Sequence, residues 1–202
     1  MPQEVKLYFD YKSPFAFLAA EPAFELSSRF SVKIRWIPFQ LRIKGKGERS
    51  VYSEWKVQYS YQDARRWANR RGGFAIRGPR KIYDSTPSLI GAYFSQEFDF
   101  FKEYTRESFK RFFDHRLELD SGEEVSSLIR ELGGNERDFE RFLNDGEGER
   151  QFRAGMEEAH DDQIFGVPIF VFEGERFWGH DRIPLLEERL TDFGLGLKSE
   201  AR

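Results

Sequence analysis

Segments rich in β-forming residues occur only towards the two ends of this chain, and roughly a hundred residues with helical periodicity lie between them. The first such segments are 6–11 and 32–39, and the last are 169–173 and 176–178. A sheet built from them joins strands from opposite ends of the sequence, so the helices between them must form an insertion. The order of elements therefore predicts an α/β fold in which one helical segment is inserted into a small mixed sheet.

A Ser-Pro dipeptide marks the start of the first helix. Ser13 has the short polar side chain preferred at an N-cap, and Pro14 suits the first helical position, where a backbone N–H would have no partner. This helix is predicted to continue to about 29, which makes the opening of the chain a right-handed β-α-β unit. Further predicted elements are helices at 52–71, 88–117 with breaks, 123–132, 136–143, 147–163 and 183–193, and a tight turn at Gly174-Glu175 between the last two strands.

The 202 residues include no cysteine, and this absence restricts the chemistry. It excludes disulfides, thiolate metal sites and a cysteine nucleophile. The three histidines lack the spacing of a metal site, so no metal is expected. No apolar run approaches the ~18 residues of a membrane span, and no secretion signal precedes the first strand. We therefore expect a cytoplasmic protein with no membrane partner.

Positive charge is concentrated between 29 and 81, where 15 Lys or Arg residues stand against 3 acidic residues, whereas 82–202 has 15 bases and 28 acids. The basic region is either a solvated helical surface or a wall that attracts an anionic small ligand. A nucleic-acid partner is not expected, because the sequence pI is about 5.8 and no nucleic-acid-binding motif accompanies the basic cluster.

Two short stretches far apart in the sequence are typical of one site. In 9–15 a strand runs into the Ser-Pro helix start, at the place where thioredoxin-type proteins carry their redox cysteine. In Val167-Pro168 a proline precedes a run of β-formers, where such folds have a cis-proline facing the active residue. We predict a thioredoxin-like mixed sheet with an all-helical domain inserted after the first βαβ unit. The predicted boundaries are 1–44 and 164–202 for the thioredoxin-like domain and 45–163 for the helical domain.

Four stretches of the sequence together resemble a known family. They are Phe9-Asp10-x-x-Ser13-Pro14-Phe15, Lys56-x-x-Tyr59-x-x-x-Asp63-x-x-Arg66-Trp67-Ala68, Phe165-Gly166-Val167-Pro168 and Phe177-Trp178-Gly179-x-Asp181-Arg182. The resemblance is to 2-hydroxychromene-2-carboxylate isomerases and their relatives, the kappa-class glutathione transferases. It extends from the first strand to the last helix, and the last two stretches in tandem are quite specific. It implies the fold of bacterial disulfide oxidoreductases and glutathione as the cofactor.

The resemblance also implies roles for single residues. The Ser13 hydroxyl would donate a hydrogen bond to the sulfur of glutathione and favour its thiolate, which makes Ser13 the predicted catalytic residue. The main chain of Val167, before Pro168, would pair with the cysteinyl part of glutathione. Asp181 would bind the amino group, and the main chain around His180 would hold the adjacent carboxylate. From the residues alone, Ser13 is equally well explained as a helix N-cap, and helix capping is the alternative role of Asp181, compatible with ligand binding.

A further predicted feature is the wall of the substrate pocket. Lys56, Tyr59 and Asp63 are spaced by three and four residues and therefore share one face of a helix. A stripe of this kind is more often a solvated helix surface, but the resemblance makes it part of the substrate pocket. Lys44, in a glycine-containing loop, is the predicted ligand for a substrate carboxylate.

The activity implied by the resemblance is glutathione-dependent cis-trans isomerisation of an aromatic or unsaturated carboxylate, with the glutathione thiolate as a reversible nucleophile. A homodimer is implied as well. Two alternatives stay open. One is a kappa-like transferase that releases the glutathione conjugate, and the other is a redox-inactive thioredoxin-fold module that binds a peptide or protein at the Val167-Pro168 edge.

Overall fold

The computed structural model describes the backbone of 2–42 and 51–197 and the side chains of 2–42 and 53–197. The described strands are β1 (Gln3–Phe9), β2 (Val32–Pro38), β3 (Ile169–Phe172) and β4 (Glu175–Trp178). The described helices are α1 (Pro14–Arg29), α2 (Val51–Arg70), α3 (Thr86–Glu97), α4 (Phe101–Phe113), α5 (Gly122–Glu131), α6 (Glu136–Asn144), α7 (Glu147–Asp161) and α8 (Ile183–Asp192). A short 3-10 turn, His180–Arg182, precedes α8.

The four strands form one mixed sheet in the order β2-β1-β3-β4. β1 pairs in parallel with β2, where Leu7 lies opposite Trp36, and antiparallel with β3, where Leu7 lies opposite Phe170. β4 adds to β3 as an antiparallel hairpin. The two central strands, β1 and β3, thus come from opposite ends of the chain. The prediction of a mixed sheet with a helical insertion is confirmed.

Both faces of the sheet are covered by helices. Side chains of β1 alternate, so that Leu7 and Phe9 belong to one buried cluster and Tyr8 to another. The first cluster includes the buried side of α1, and the second includes Ala159 of α7. Because α1 begins directly after β1, this packing holds the start of α1 at the end of the central strand.

Charged side chains attach α7 to the second face of the sheet. Lys6 Nζ lies 2.8 Å from Glu158 Oε1 and 2.7 Å from Asp162 Oδ2, and the Tyr8 hydroxyl donates to Asp162 at 2.6 Å. Arg35 makes a bidentate ion pair with Glu158. The hydrogen bonds from Arg35 and Lys6 lower the pKa of Glu158 to about 2 despite partial burial. This network links β1 and β2 to the last helix of the insertion.

The helices begin and end close to their predicted bounds, whereas β1 begins three residues and ends two residues earlier than predicted. The break expected within the helix at 88–117 lies near Asp99, whose φ of 59° is in the left-handed region, and it separates α3 from α4. The hairpin turn is formed by Glu173 and Gly174, with φ of 50° and 76°, so the predicted turn at Gly174-Glu175 is wrong by one residue. Positive φ at both central residues is the requirement of the type I′ turn, whose twist fits that of the flanking strands.

Two other expectations concern the chain as a whole. The predicted domain boundaries at 44 and 164 stay a prediction, and the first of them falls outside the described residues. Within the described ranges, no helix combines the length and apolarity that crossing a membrane requires.

Candidate functional site

Ser13 lies where β1 ends and α1 begins, and it contacts the segment before β3. Its hydroxyl accepts a hydrogen bond from Ala16 N–H at 3.1 Å, which is the N-cap bond of α1. The same hydroxyl donates to the carbonyl of Val167 at 3.1 Å, across 154 positions of sequence. Ser13 and Val167 are both buried, with 4% and 7% of their surface exposed. The two predicted halves of the site therefore meet.

The peptide bond between Val167 and Pro168 is cis, as predicted. The Val167 carbonyl is already bonded to the Ser13 hydroxyl. Its N–H, in contrast, has no hydrogen-bond acceptor among the described residues. One backbone donor next to Ser13 is thus available for a ligand.

A cavity of about 1000 Å³ opens beside these residues. Its floor is the start of α1, including Ser13 and Phe15, together with Val167. Its walls are α2 and the segments around Leu41 and Tyr83. This volume is at the upper end of the range for small-molecule sites.

Several cations line this cavity, and they differ in their partners. Lys12 is paired with Asp10, and Lys81 with Glu118 and Asp120. Lys56, Arg65 and Arg80 are exposed and have no acidic partner within ion-pair distance in the described part of the chain. The cavity therefore has free positive charge next to an apolar interior, which suits an anion with an apolar body.

The face of α2 that lines the cavity differs from the predicted face. Of the predicted residues, Lys56 lines the cavity, whereas Tyr59 is 58% exposed and Asp63 pairs with Arg66 at 3.8 Å. The positions of α2 that line the cavity are Glu54, Lys56, Val57, Gln58, Ser60, Tyr61 and Arg65. Tyr59 and Asp63 are therefore outside this cavity, and Lys44 lies outside the described residues.

The direction of α2 follows from its packing. Ala64 and Ala68 are its buried positions, with 0% and 1% exposure, and they pack against the core around α1. Small residues spaced by four mark the side of a helix that approaches another element closely. That signal was present in the sequence, and it would have placed Tyr61 and Arg65 nearer the cavity than Tyr59.

His180 is enclosed between α1 and α2. It is 4% exposed, its ring is stacked on Phe15, and the edge of Trp67 contacts it at 4.9 Å between centroids. Burial, with a smaller contribution from nearby Arg71, lowers its pKa to about 4. Its Nε2 has no hydrogen-bond partner among the described residues. His180 is thus a neutral ring behind the site.

Asp181 lies beside His180 in the 3-10 turn and is accessible. Its carboxylate pairs with Arg182 Nη1 at 2.7 Å, and 43% of the side chain is exposed. Gly179 has a φ of 115°, and a Cβ there would overlap the Asp181 carboxylate. Glycine is therefore required for this turn. The carboxylate of Asp63 acts on His180 electrostatically, so Asp63 faces this side of the site and not the cavity.

Beneath Ser13 lies a buried ion pair that the sequence analysis did not single out. Asp10 Oδ2 is 3.4 Å from Lys12 Nζ, and the exposed fractions of these side chains are 0% and 6%. Both residues belong to the stretch that carries the family resemblance. The structure shows, in addition, no group of three His, Asp or Glu side chains placed to bind a metal within the described ranges.

Comparison with known proteins places this geometry in a family. The model of the DsbA-like thioredoxin domain matches residues 4–191. The chain belongs to the DsbA-like thioredoxin family. Where oxidoreductases of thioredoxin type have a redox cysteine, this member has the Ser13 hydroxyl at the start of α1.

Similar members of the family include curated isomerases. The 2-hydroxychromene-2-carboxylate isomerase of Pseudomonas putida is 28% identical over 194 residues, which cover 92% of this chain and 93% of the relative. The enzyme of the same name from Sphingobium xenophagum is 23% identical over 199 residues, covering 95% and 100%. These likenesses confirm the resemblance inferred from the sequence and support an isomerase-like enzyme.

Solved structures show the same fold. A 2-hydroxychromene-2-carboxylate isomerase superposes with a TM-score of 0.79 at 24% identity, covering 95% of this chain and 96% of the other. A probable DsbA oxidoreductase from Streptomyces coelicolor superposes with a TM-score of 0.78 at 15% identity, covering 98% and 93%. The thioredoxin-like fold predicted from the sequence is therefore confirmed.

Proposed function

We propose that this protein is a glutathione-dependent cis-trans isomerase of the 2-hydroxychromene-2-carboxylate type. The observation that carries the proposal is the hydrogen bond of 3.1 Å between the Ser13 hydroxyl and the Val167 carbonyl, at the floor of an apolar cavity. It brings a hydroxyl at a helix N-terminus next to a free backbone N–H. These are the groups that would hold a thiol and the peptide that carries it.

The residues present fit a thiol cofactor. The chain has no cysteine, so a sulfur nucleophile must belong to a ligand. A thiol near Ser13 would be stabilised as the thiolate by a hydroxyl donor and by the N-terminal end of α1, both of which lower a thiol pKa from its usual value of roughly 8.5. When bound, glutathione supplies a thiolate that adds reversibly to a conjugated double bond, which permits rotation before the thiolate leaves.

To donate a hydrogen bond to a ligand sulfur, the Ser13 hydroxyl must give up the one that it donates within the protein. A hydroxyl has one hydrogen to donate, and in this structure that hydrogen goes to the Val167 carbonyl. Donation to a ligand sulfur would release the carbonyl, which could then accept a hydrogen bond from the N–H of an extended ligand. Two ligand bonds would thus replace one internal bond, while Ala16 N–H continues to donate to the Ser13 oxygen.

Two groups of charges would orient the ligands. Asp181 is exposed beside the neutral ring of His180, and its carboxylate is suited to the amino group of glutathione. Lys56, Arg65 and Arg80 are suited to the carboxylate of the substrate, since each lines the cavity without an acidic partner in the described residues. These roles replace the predicted pocket wall of Tyr59 and Asp63.

Calorimetry with glutathione and a spectrophotometric assay with 2-hydroxychromene-2-carboxylate test the proposal. The wild-type protein is expected to bind glutathione and to isomerise the substrate without consuming glutathione. Ser13→Ala should reduce the rate by about 10²-fold, as the loss of one positioned donor does. Ser28→Ala is the matched control, because Ser28 lies on the same helix with its hydroxyl at the exposed end. Asp181→Ala should weaken glutathione binding.

Other outcomes contradict the proposal in distinct ways. A stable conjugate released from the enzyme would indicate a kappa-like transferase. No heat of binding at millimolar glutathione would favour a redox-inactive binding module at the Val167-Pro168 edge. We also propose that the protein is a homodimer, which analytical ultracentrifugation can test. Its proposed location is the cytoplasm, where glutathione is kept reduced.

A further inference from the structure

Asp10 and Lys12 form a buried ion pair that the proposed reaction does not use. Besides the contact of 3.4 Å with Lys12 Nζ, Asp10 accepts hydrogen bonds from Lys12 N–H at 3.0 Å and from Leu41 N–H at 2.7 Å. Burial raises the pKa of Asp10 against the opposing effect of Lys12. A buried ion pair gives little net stability compared with well-packed apolar residues. Its presence here therefore points to a role in the site.

The pair connects two walls of the cavity to the turn that carries Ser13. Lys12 Nζ donates to the carbonyls of Leu41 at 2.9 Å and Tyr83 at 3.2 Å. Leu41 follows β2, Tyr83 precedes α3, and both line the cavity together with Lys12. Ser13 N–H donates to the Asp10 carbonyl at 2.9 Å, which fixes Ser13 to the same pair.

Of the two residues of the pair, Lys12 lines the cavity, whereas Asp10 has no exposed surface. With 6% of its side chain exposed, Lys12 is also far better shielded from water than Lys81, which is 50% exposed. A shielded charge acts more strongly on its surroundings than a solvated one.

The other charged groups around the cavity come from α2, from the segment at 78–83 and from the turn before α8. Arg65 and Arg80 are exposed, and Lys81 is paired with two acids. His180 is neutral above a pH of about 4. Glu54 and Lys56 of α2 also line the cavity. The other charged groups on these elements do not line it, and they are Asp63, Arg66 and Arg70 of α2 and Asp181 and Arg182 of the turn.

We propose that Asp10 and Lys12 are positioning residues that hold the cavity walls in register with Ser13 and present a desolvated positive charge to an anion bound at the Ser13 hydroxyl. The inference rests on the proposed function only for the identity of that anion, a ligand thiolate. The positive charge itself is a property of the chain and can be measured without any ligand.

The test uses a thiol introduced by Ser13→Cys. Because the chain has no cysteine, this thiol is the only one in the protein, and the absorbance of its thiolate near 240 nm gives its pKa directly. Lys12→Met in this background is expected to raise the thiol pKa by about one unit, a tenfold loss of thiolate at pH values below it. Asp10→Asn is expected to shift it in the opposite direction, because the Lys12 charge is then no longer balanced. Lys81→Met is the matched control, with a shift of less than about 0.3 units.

Opposite shifts separate an electrostatic role from simple loss of structure, which would move the thiol pKa in the same direction in both variants. The proposal is overturned if Lys12→Met leaves the thiol pKa unchanged or if Asp10→Asn raises it. Circular dichroism checks folding. If Lys12→Met does not fold, the variants Asp10→Asn and Lys12→Arg test the proposal instead, since Lys12→Arg should leave the thiol pKa of the Ser13→Cys protein unchanged. A protein that fails to bind glutathione but shows these shifts would contradict the proposed function and support this inference.

Discussion

The ring of His180 lies nearly parallel to that of Phe15, with 5.4 Å between the ring centroids and 11° between the planes. Phe15 belongs to the first turn of α1, two residues after Ser13, and His180 is adjacent to Asp181. The stacked pair thus couples the position of the Ser13 hydroxyl to that of the Asp181 carboxylate. It does so with an imidazole whose burial keeps it uncharged.

A dependence of stability on pH follows from this burial. The pKa of His180 is lowered to about 4 in the folded protein, below the ordinary value of 6.5. The contribution of the neutral His180 to the free energy of unfolding is therefore fully present above pH 6.5. It decreases as the pH falls towards 4, because the unfolded chain then binds a proton that the folded chain does not. The expected loss is up to about 3 kcal/mol, measured by urea denaturation between pH 8 and pH 4.

Substitutions at two histidines make this prediction specific. His180→Gln should remove most of the pH dependence between 6.5 and 5, where carboxylates contribute little. His160→Gln, at an exposed position, should leave the dependence intact. Equal slopes for wild type and His180→Gln would show that this imidazole is not the group responsible.

Glu158 is expected to stabilise the contact between α7 and the sheet. Its pKa is lowered to about 2 in the folded protein, so its contribution is present above pH 4.5 and lost as the pH falls towards 2. Glu158→Gln should reduce the free energy of unfolding at pH 7 by about 1 kcal/mol, since the network is partly solvated. Glu149→Gln removes an exposed pair with Arg153 and should have no measurable effect. The urea concentrations at the unfolding midpoints of both variants, compared with that of the wild type, test this prediction.

The close approach of α7 to α3 at Gly155 permits a test by compensation. A Cβ at this position would overlap the hydroxyl of Tyr93, while the next nearest atoms lie at 3.3 Å. Gly155→Ala should therefore destabilise the protein by about 1–3 kcal/mol, although alanine is the better helix former. Adding Tyr93→Phe should restore most of the stability. Without such restoration in thermal unfolding, the hydroxyl is not the obstacle.

Arg65 is expected to determine affinity for the carboxylate substrate. Arg65→Gln should raise KM for 2-hydroxychromene-2-carboxylate by about tenfold with little change in kcat, because it removes a charge that binds ground state and transition state alike. The neighbouring Arg66 does not line the cavity and pairs with Asp63. Arg66→Gln is thus the control, and similar KM values for the two variants would contradict the assignment.

The fold could be predicted because its signals are local. Ser13-Pro14 marks a helix start, Val167-Pro168 marks the entry to β3, and the strands at both ends of the chain permit few arrangements. The convergence of Ser13 and Val167 followed from that arrangement. The hairpin turn was misplaced by one residue, since Glu173 adopts the positive φ that sequence patterns assign to glycine.

Other parts of the site could not be predicted, because they depend on tertiary packing. Besides Asp10, the partners of Lys12 are two backbone carbonyls, and a carbonyl has no signature in the sequence. The face of α2 that lines the cavity depends on how Ala64 and Ala68 pack against α1. Spacing alone correctly placed Lys56, Tyr59 and Asp63 together on one side of α2, but it could not say which way that side points.

The sheet order has a consequence for the newly made polypeptide. β1 and β3 are central neighbours, yet the residues they join, such as Lys6 and Val171, are separated by almost the whole chain. On the ribosome, β1 and β2 can pair early, while one edge of β1 stays unpaired until β3 is made, after the helical insertion. Bare strand edges invite aggregation, and charged side chains reduce that hazard. The alternation of Glu4 and Lys6 with apolar neighbours in β1 is well suited to protect this edge during synthesis.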